Sequence, residues 1–181
     1  KALEKAILDA SRKFDCILIG AGSSAGTKDF ASDVIRNNGT VFVHGISIKP
    51  GKPTIIGLVN NTIIIGVPGY PVSTYMSYLL VIKPLVSLML HQIKPVYKIV
   101  KARLTKKVYS SLKNQEYIRV KLGNVHNQIV ATPLNRGAGI TMSLVKSDGL
   151  LVVNRLLEGY NIGDMVDVLI PNQEETDISN T

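Results

Sequence analysis

Residues 16–53, CILIGAGSSAGTKDFASDVIRNNGTVFVHGISIKPGKP, decide the fold. Cys16–Ile19 is an apolar run of strand type, and Gly20-Ala21-Gly22-Ser23-Ser24-Ala25-Gly26 follows as a glycine- and serine-rich loop. Residues 27–38 then read as a helix with Phe30, Val34 and Ile35 inward, Thr27 as a candidate N-cap and Asn38-Gly39 as its stop. A second strand is expected over 41–46, and Lys49-Pro50-Gly51-Lys52-Pro53 closes the stretch as a stiff basic turn, because proline fixes φ and glycine permits a tight bend. Strand, loop, helix and strand in this order predict an α/β layered domain with its ligand-binding loops at the strand ends of a mostly parallel sheet.

Outward from that core, residues 1–14 carry Leu3, Ala6, Ile7, Ala10 and Phe14 at helical spacing. Strands are expected at 54–58 and 62–67, joined by an Asn60-Asn61 turn. A second Pro-Gly loop, Pro68-Gly69-Tyr70-Pro71-Val72-Ser73, leads into a helix that starts with proline at its favoured first position and that Pro84 should kink or break. The character changes at Ile93-Lys94-Pro95. Strands expected at 96–108, 117–122, 128–132, 150–154 and 165–170 are punctuated by Gly123-Asn124, residues 135–139, Asp148-Gly149 and residues 161–164, which suggests a small β-barrel or sandwich. The expected division is residues 1–92, residues 96–171 and a polar, disordered tail over 172–181.

The chain has 181 residues, 21 basic against 13 acidic side chains, and a formal charge of +8, which favours anionic partners. Trp is absent and aromatic residues make up 6%, so the stacking surface that nucleic-acid binding needs is thin, and no nucleic-acid partner is expected. A single cysteine, Cys16, rules out an internal disulfide framework and fits a reducing, cytoplasmic setting. No membrane role is expected, since the most apolar stretch, residues 78–90, is short and holds Lys83 and Pro84. The chain does not begin with Met and its first residues already read as mid-domain helix, so a fragment of a longer protein is expected.

The glycine loop between strand and helix is an arrangement in which backbone N–H groups hold a phosphate, although a turn that needs glycine for steric reasons gives the same pattern. A dinucleotide site would need an acidic residue at the end of the next strand, which instead reads His44-Gly45-Ile46-Ser47; Lys49 on a ribose phosphate would leave an NADP-binding oxidoreductase open. Asp29 lies in the first helical turn, where a carboxylate caps the helix or, beside bound phosphate, holds Mg2+. Lys49 and Lys52 are held in fixed relation by Pro50-Gly51. His44, His91 and His126 are isolated and predict no zinc site.

These loops resemble the molybdopterin-binding domain of MoeA-type molybdopterin molybdenumtransferases, the gephyrin E-domain-like family. Its pattern is a Gly-Gly-x-Ser-x-Gly loop with a downstream Asp, then Lys-Pro-Gly-Lys-Pro and Pro-Gly-Asn-Pro-Val-Ser. The second half, through Asn135-Arg136-Gly137-Ala138-Gly139, Met142-Ser143-Leu144 and residues 147–153 and 163–168, is similar to the family's C-terminal β-barrel. The resemblance implies a MogA-like α/β layer followed by a small all-β barrel. It also implies insertion of molybdate into adenylylated molybdopterin with Mg2+, and a homodimer in the full-length protein.

By the same resemblance Gly20, Gly22, Ser23, Ser24 and Gly26 would hold the phosphate of the anionic pterin, and Asp29 the cation. Lys49, Lys52 and Ser73, with Pro50, Gly51, Pro68, Gly69 and Pro71 shaping the loops, would orient pterin and oxyanion. Tyr70 replaces the family's Asn, and Thr27 an acidic residue. The family's earlier strand and other N-terminal domains have no counterpart before Lys1. A divergent subgroup is therefore expected, with a non-catalytic pterin-binding sensor or scaffold as the alternative, and a fragment that is inactive alone.

Overall fold

A computed structural model describes residues 2–21, 30–137 and 139–175. Its compact units are Lys1–Ile46 with Gly51–Ser77, and Ser47–Pro50 with Tyr78–Thr181. This division falls between Ser77 and Tyr78, earlier in the chain than the change of sequence character at 93–95.

In the first unit, α1 (Ala2–Ala10) and α2 (Phe30–Asn38) accompany a four-stranded sheet of β1 (Cys16–Ala21), β2 (Gly39–His44), β4 (Ile55–Val59) and β5 (Thr62–Pro68), with β3 (Ile48–Lys49) belonging to the second unit. The strand order is β1-β5-β4-β2. Only β1–β5 is parallel; β5–β4 and β4–β2 are antiparallel, which corrects the expectation of a mostly parallel sheet. The reason is local. Asn60 and Asn61 both take positive φ, 49° and 67°, and a two-residue turn of that kind folds β4 back on β5 as a hairpin.

Ile7 of α1 and Ala31 and Ile35 of α2 pack with Ile19, Ile55, Val59 and Ile64 of the sheet. Ile35 is fully buried, worth about 1.5–3 kcal/mol relative to an exposed side chain. The apolar stripe is narrower than the periodicity over residues 1–14 suggests, since Leu3 is exposed and Phe14, also exposed, lies beyond the end of α1. Asn38 ends α2 by donating to the Val34 carbonyl at 2.9 Å. Gly39 is required where it stands, because a Cβ there would lie 1.9 Å from the Leu58 carbonyl oxygen.

The helix that starts at Pro71 does not break at Pro84. It runs from Pro71 to Met89 as α3 (Pro71–Ser77), a π-helical turn over Tyr78–Ile82, and α4 (Lys83–Met89). Proline offers no N–H, and its ring collides with the carbonyl four residues back in a regular α-helix. A wider turn placed just before it relieves that conflict. At 19 residues the helix is longer than the apolar stretch read from sequence and could span a bilayer by length and composition. Val72, Met76, Leu79 and Ile82 are buried at 6% exposure or less, whereas Tyr78, Val86 and Leu88 are at least 37% exposed, so one face of the helix is packed and about a third of its apolar window is buried.

In the second unit β6 (Val96–Leu104), β8 (Gln115–Val125), β9 (Gln128–Pro133), β10 (Gly149–Val153) and β12 (Met165–Glu175) follow the order β10-β12-β6-β9-β8. An added β10–β8 pairing closes the ring into a barrel, which removes the edges of these strands. Its interior holds Ala102, Leu104, Val108, Ile118, Val120, Leu151, Val166 and Val168. The β8–β9 turn uses His126-Asn127, φ 49° and 62°, rather than Gly123-Asn124, which lie within β8. A short pair, β7 (Val108–Tyr109) with β11 (Gly159–Tyr160), and a short α5 (Thr141–Val145) complete the unit. Residues 172–175, expected to belong to a disordered tail, continue β12, with Glu174 and Glu175 opposite Tyr97 and Val96 of β6; residues 176–181 lie outside the described residues.

Candidate functional site

The parallel pairing of β1 with β5 sets Gly20 opposite Val67 and Ala21 opposite Pro68. The start of the glycine loop and the start of the Pro68–Ser73 loop therefore emerge side by side from the same sheet end. Gly22, Ser23, Ser24, Gly26 and Asp29 lie outside the described residues.

The second loop is built by its own backbone and one hydroxyl. Thr74 N–H donates to the Tyr70 carbonyl at 2.9 Å, and Thr74 Oγ1 shares its single proton between the carbonyls of Pro68 and Tyr70. Gly69, Tyr70 and Pro71 are exposed, while Pro68 and Ser73 are buried. Proline at the head of α3 costs nothing there, since the first helical N–H has no intrahelical partner.

A buried pair of hydroxyls connects this loop to the basic turn. Thr54 Oγ1 lies 2.7 Å from the Gly51 carbonyl oxygen and 2.6 Å from Ser77 Oγ, which in turn lies 3.0 Å from the Ser73 carbonyl oxygen. Three contacts share two hydroxyl protons, so two are donated at any moment and the third alternates with them. Thr54 and Ser77 have no exposed surface. Gly51 takes φ 116°, a conformation that a side chain would strain. Lys52 and Pro53 are exposed, and the Lys52 carbonyl accepts from Ile46 N–H at 2.8 Å.

Lys49 and Pro50, joined by a cis peptide bond, are held by the second unit. Ile48 and Lys49 pair in parallel with Gln115 and Glu116 of β8, and Gln115 N–H donates to the Ser47 carbonyl at 2.9 Å. Lys49 Nζ lies 3.8 Å from Glu116 Oε1, with the lysine side chain 54% exposed and the glutamate 5%. Arg136 Nη1 lies 3.6 Å from the same oxygen and donates to the Tyr109 carbonyl. Ser110 Oγ donates to Glu116 Oε2 at 2.8 Å.

Arg119, 2% exposed, fixes the neighbouring segment by donating Nη2 to the carbonyls of Asn135 and Gly137 at 2.7 and 3.2 Å. Its Nε is buried without a hydrogen-bond partner, and burial lowers its pKa from the ordinary arginine value. Cys16 is half-buried, and burial pushes its thiol up, as suits a packing role.

Two of the proposed loops thus share one sheet end, and Gly51 is tied to the second of them within the first unit. Sequence reading missed Thr54, Ser77, Glu116, Arg119 and Arg136. A signal existed for Glu116: it alternates with Ile118 and Val120, and a carboxylate on the inward face of a strand must be paired. No such pattern marks Arg119 and Arg136, whose partners are brought together by the barrel.

Comparison with known proteins agrees with this layout. Residues 1–87 match the "Probable molybdopterin binding domain" model, and residues 101–170 the "MoeA C-terminal region (domain IV)" model. A Methanocaldococcus jannaschii protein named for molybdopterin biosynthesis is 32% identical over 93% of this chain and 39% of its own length. A molybdopterin molybdenumtransferase of Haemophilus influenzae is 28% identical over 91% of the chain and 42% of its own length. The crystal structure of a molybdopterin biosynthesis MoeA protein from Pyrococcus horikosii superposes with a TM-score of 0.75 at 31% identity, over 96% of this chain and 41% of that one. The chain spans about two-fifths of the length of these relatives. In sequence and fold alike, the chain belongs to the MoeA family of molybdenum cofactor biosynthesis proteins and corresponds to its molybdopterin-binding and C-terminal barrel regions.

Proposed function

We propose that this chain is the C-terminal part of a MoeA-type molybdopterin molybdenumtransferase, and that its loops bind the adenylylated pterin and the molybdate inserted into it. The supporting observation is the buried Thr54–Ser77 pair, which ties the carbonyl of Gly51 to the first turn of α3 beside Ser73. Preorganised loops spend little free energy on ordering when an anion arrives. In this reading the backbone amides of residues 20–26 hold phosphate, Lys49 and Lys52 neutralise the oxyanion, and Ser73 orients it. The domain division that fits these roles is residues 1–92 and 96–171. In this reading the working protein is a homodimer.

Among the described residues no group of three or more His, Cys, Asp or Glu side chains could hold a metal ion such as Mg2+. Asp29 would be its ligand, and Asp29→Asn in the full-length protein should then lower Mg2+-dependent activity more than ligand binding.

A second reading, a pterin-binding module without turnover, is favoured by Tyr70, which stands 51% exposed on the Pro-Gly loop and puts a bulky phenol where the family pattern has Asn. Titration with molybdopterin, its adenylylated form and NADPH tests the binding that both readings require. Saturable binding of either pterin and none of NADPH is expected. Binding of NADPH alone would replace both with a dinucleotide site.

A further inference from the structure

We propose that Glu116 is a positioning residue for the oxyanion site, holding Lys49 and Arg136 side by side from within the second unit. The proposal rests on the reading of Lys49 as an anion ligand.

The carboxylate is 4% exposed, and a charge so buried persists only when it is paired and hydrogen-bonded. Ser110 fixes Oε2 at 2.8 Å, which aims Oε1 at the two cations. Lys49 Nζ at 3.8 Å and Arg136 Nη1 at 3.6 Å share that one oxygen. Both distances exceed hydrogen-bond length, so neither cation is locked in a closed salt bridge. Two positive charges on one negative leave the cluster net positive. Lys49 and Arg136 side chains remain 54% and 39% exposed, so an anion from solvent can reach both. This combination suits a tetrahedral oxyanion such as molybdate or phosphate, which can engage both cations without breaking a tight pair.

Each cation is also held from behind. The Lys49 backbone is pinned by the β3–β8 pairing, and Arg136 sits between the two carbonyls gripped by the buried Arg119. Without Glu116 the lysine stem would recover its rotamer freedom, and two neighbouring cations would repel. The expected cost is about fivefold to tenfold in oxyanion affinity, the order set by ordering one lysine side chain.

A double-mutant cycle tests this. Molybdate, then inorganic phosphate, is titrated calorimetrically into the wild-type chain, Lys49→Met, Glu116→Gln and the double variant, with thermal melts confirming folding. Wild type should bind; Lys49→Met should lose about tenfold and Glu116→Gln about fivefold, while Glu116→Gln should change affinity less than about twofold once Lys49 is gone. Wild-type affinity in Glu116→Gln, or losses that simply add, would overturn the positioning role and leave the reading of Lys49 standing. Unchanged affinity in Lys49→Met, or a wild-type chain that takes up neither anion, would overturn both. If Glu116→Gln does not fold, Glu116→Asp serves in its place: the shortened side chain should give a smaller loss with the same dependence on Lys49.

Discussion

Replacing Thr54 with valine removes one hydroxyl from the buried pair under the two Pro-Gly loops while keeping the side-chain volume. Thr54 Oγ1 contacts both the Gly51 carbonyl and Ser77 Oγ, but the three contacts of the network carry only two protons. The variant therefore loses one donated hydrogen bond, since Ser77 can still donate to the Ser73 carbonyl. The Gly51 oxygen is not orphaned either, because it also accepts Thr54 N–H at 3.2 Å. The cost is one net hydrogen bond plus an unsatisfied lone pair on Ser77, about 1–2 kcal/mol. For a chain of this size that lowers the unfolding midpoint by about 2–8 °C. Calorimetry of Thr54→Val against Thr54→Ser measures it, with serine retaining the hydroxyl. Molybdate affinity should fall in Thr54→Val as well, because the same contacts hold the basic turn. A valine variant with the wild-type midpoint and unchanged anion binding would refute the reasoning that this pair organises the loops.

Gly57→Ala should destabilise the first unit by about 1–3 kcal/mol, since its Cβ would lie 2.5 Å from Ile35 Cγ2 and 2.7 Å from the Thr40 carbonyl oxygen; urea unfolding reads the loss. Burial raises the Asp148 carboxyl, but hydrogen bonds from Lys121 and Leu122 N–H and the lysine charge outweigh it, and the pKa falls below its ordinary 3.8. A depressed carboxylate stabilises the fold above its unfolded pKa and loses that contribution as pH drops through the folded value, so Asp148→Asn should be less stable than wild type at pH 7, with the difference shrinking as the pH is taken below the ordinary 3.8. Light scattering should show the chain self-associating, because β1 is an edge strand with Leu18 exposed on it; a strict monomer at high concentration would contradict this.

Much of the fold is legible in the sequence because its punctuation is chemical. Pro71 starts a helix, Asn38-Gly39 stops one, and Asn60-Asn61 turns between strands. That turn already implied what the expectation of a mostly parallel sheet missed: two residues can join only antiparallel strands. Pro84 was readable as a disturbance, but not as a π-helical turn, because the accommodation lies in the residues before it. The β8–β9 turn moved to His126-Asn127 because strand register around the barrel, rather than the nearest glycine, sets where the hairpin closes. Among site residues, the prolines, glycines and lysines of the loops announce themselves through rigid spacing. For Glu116 the alternation with Ile118 and Val120 announces only that the carboxylate needs partners; which ones, Lys49 and Arg136, is set by pairing between segments far apart in sequence.

The most direct test of the central claim is complementation of a strain lacking its molybdopterin molybdenumtransferase by the full-length gene that carries this chain, as wild type and as Lys49→Met. Molybdoenzyme activity should return with the wild-type gene at ordinary molybdate and fail or require excess molybdate with the variant. A wild-type gene that restores nothing while its purified product binds molybdopterin would contradict turnover and establish the binding-module reading instead.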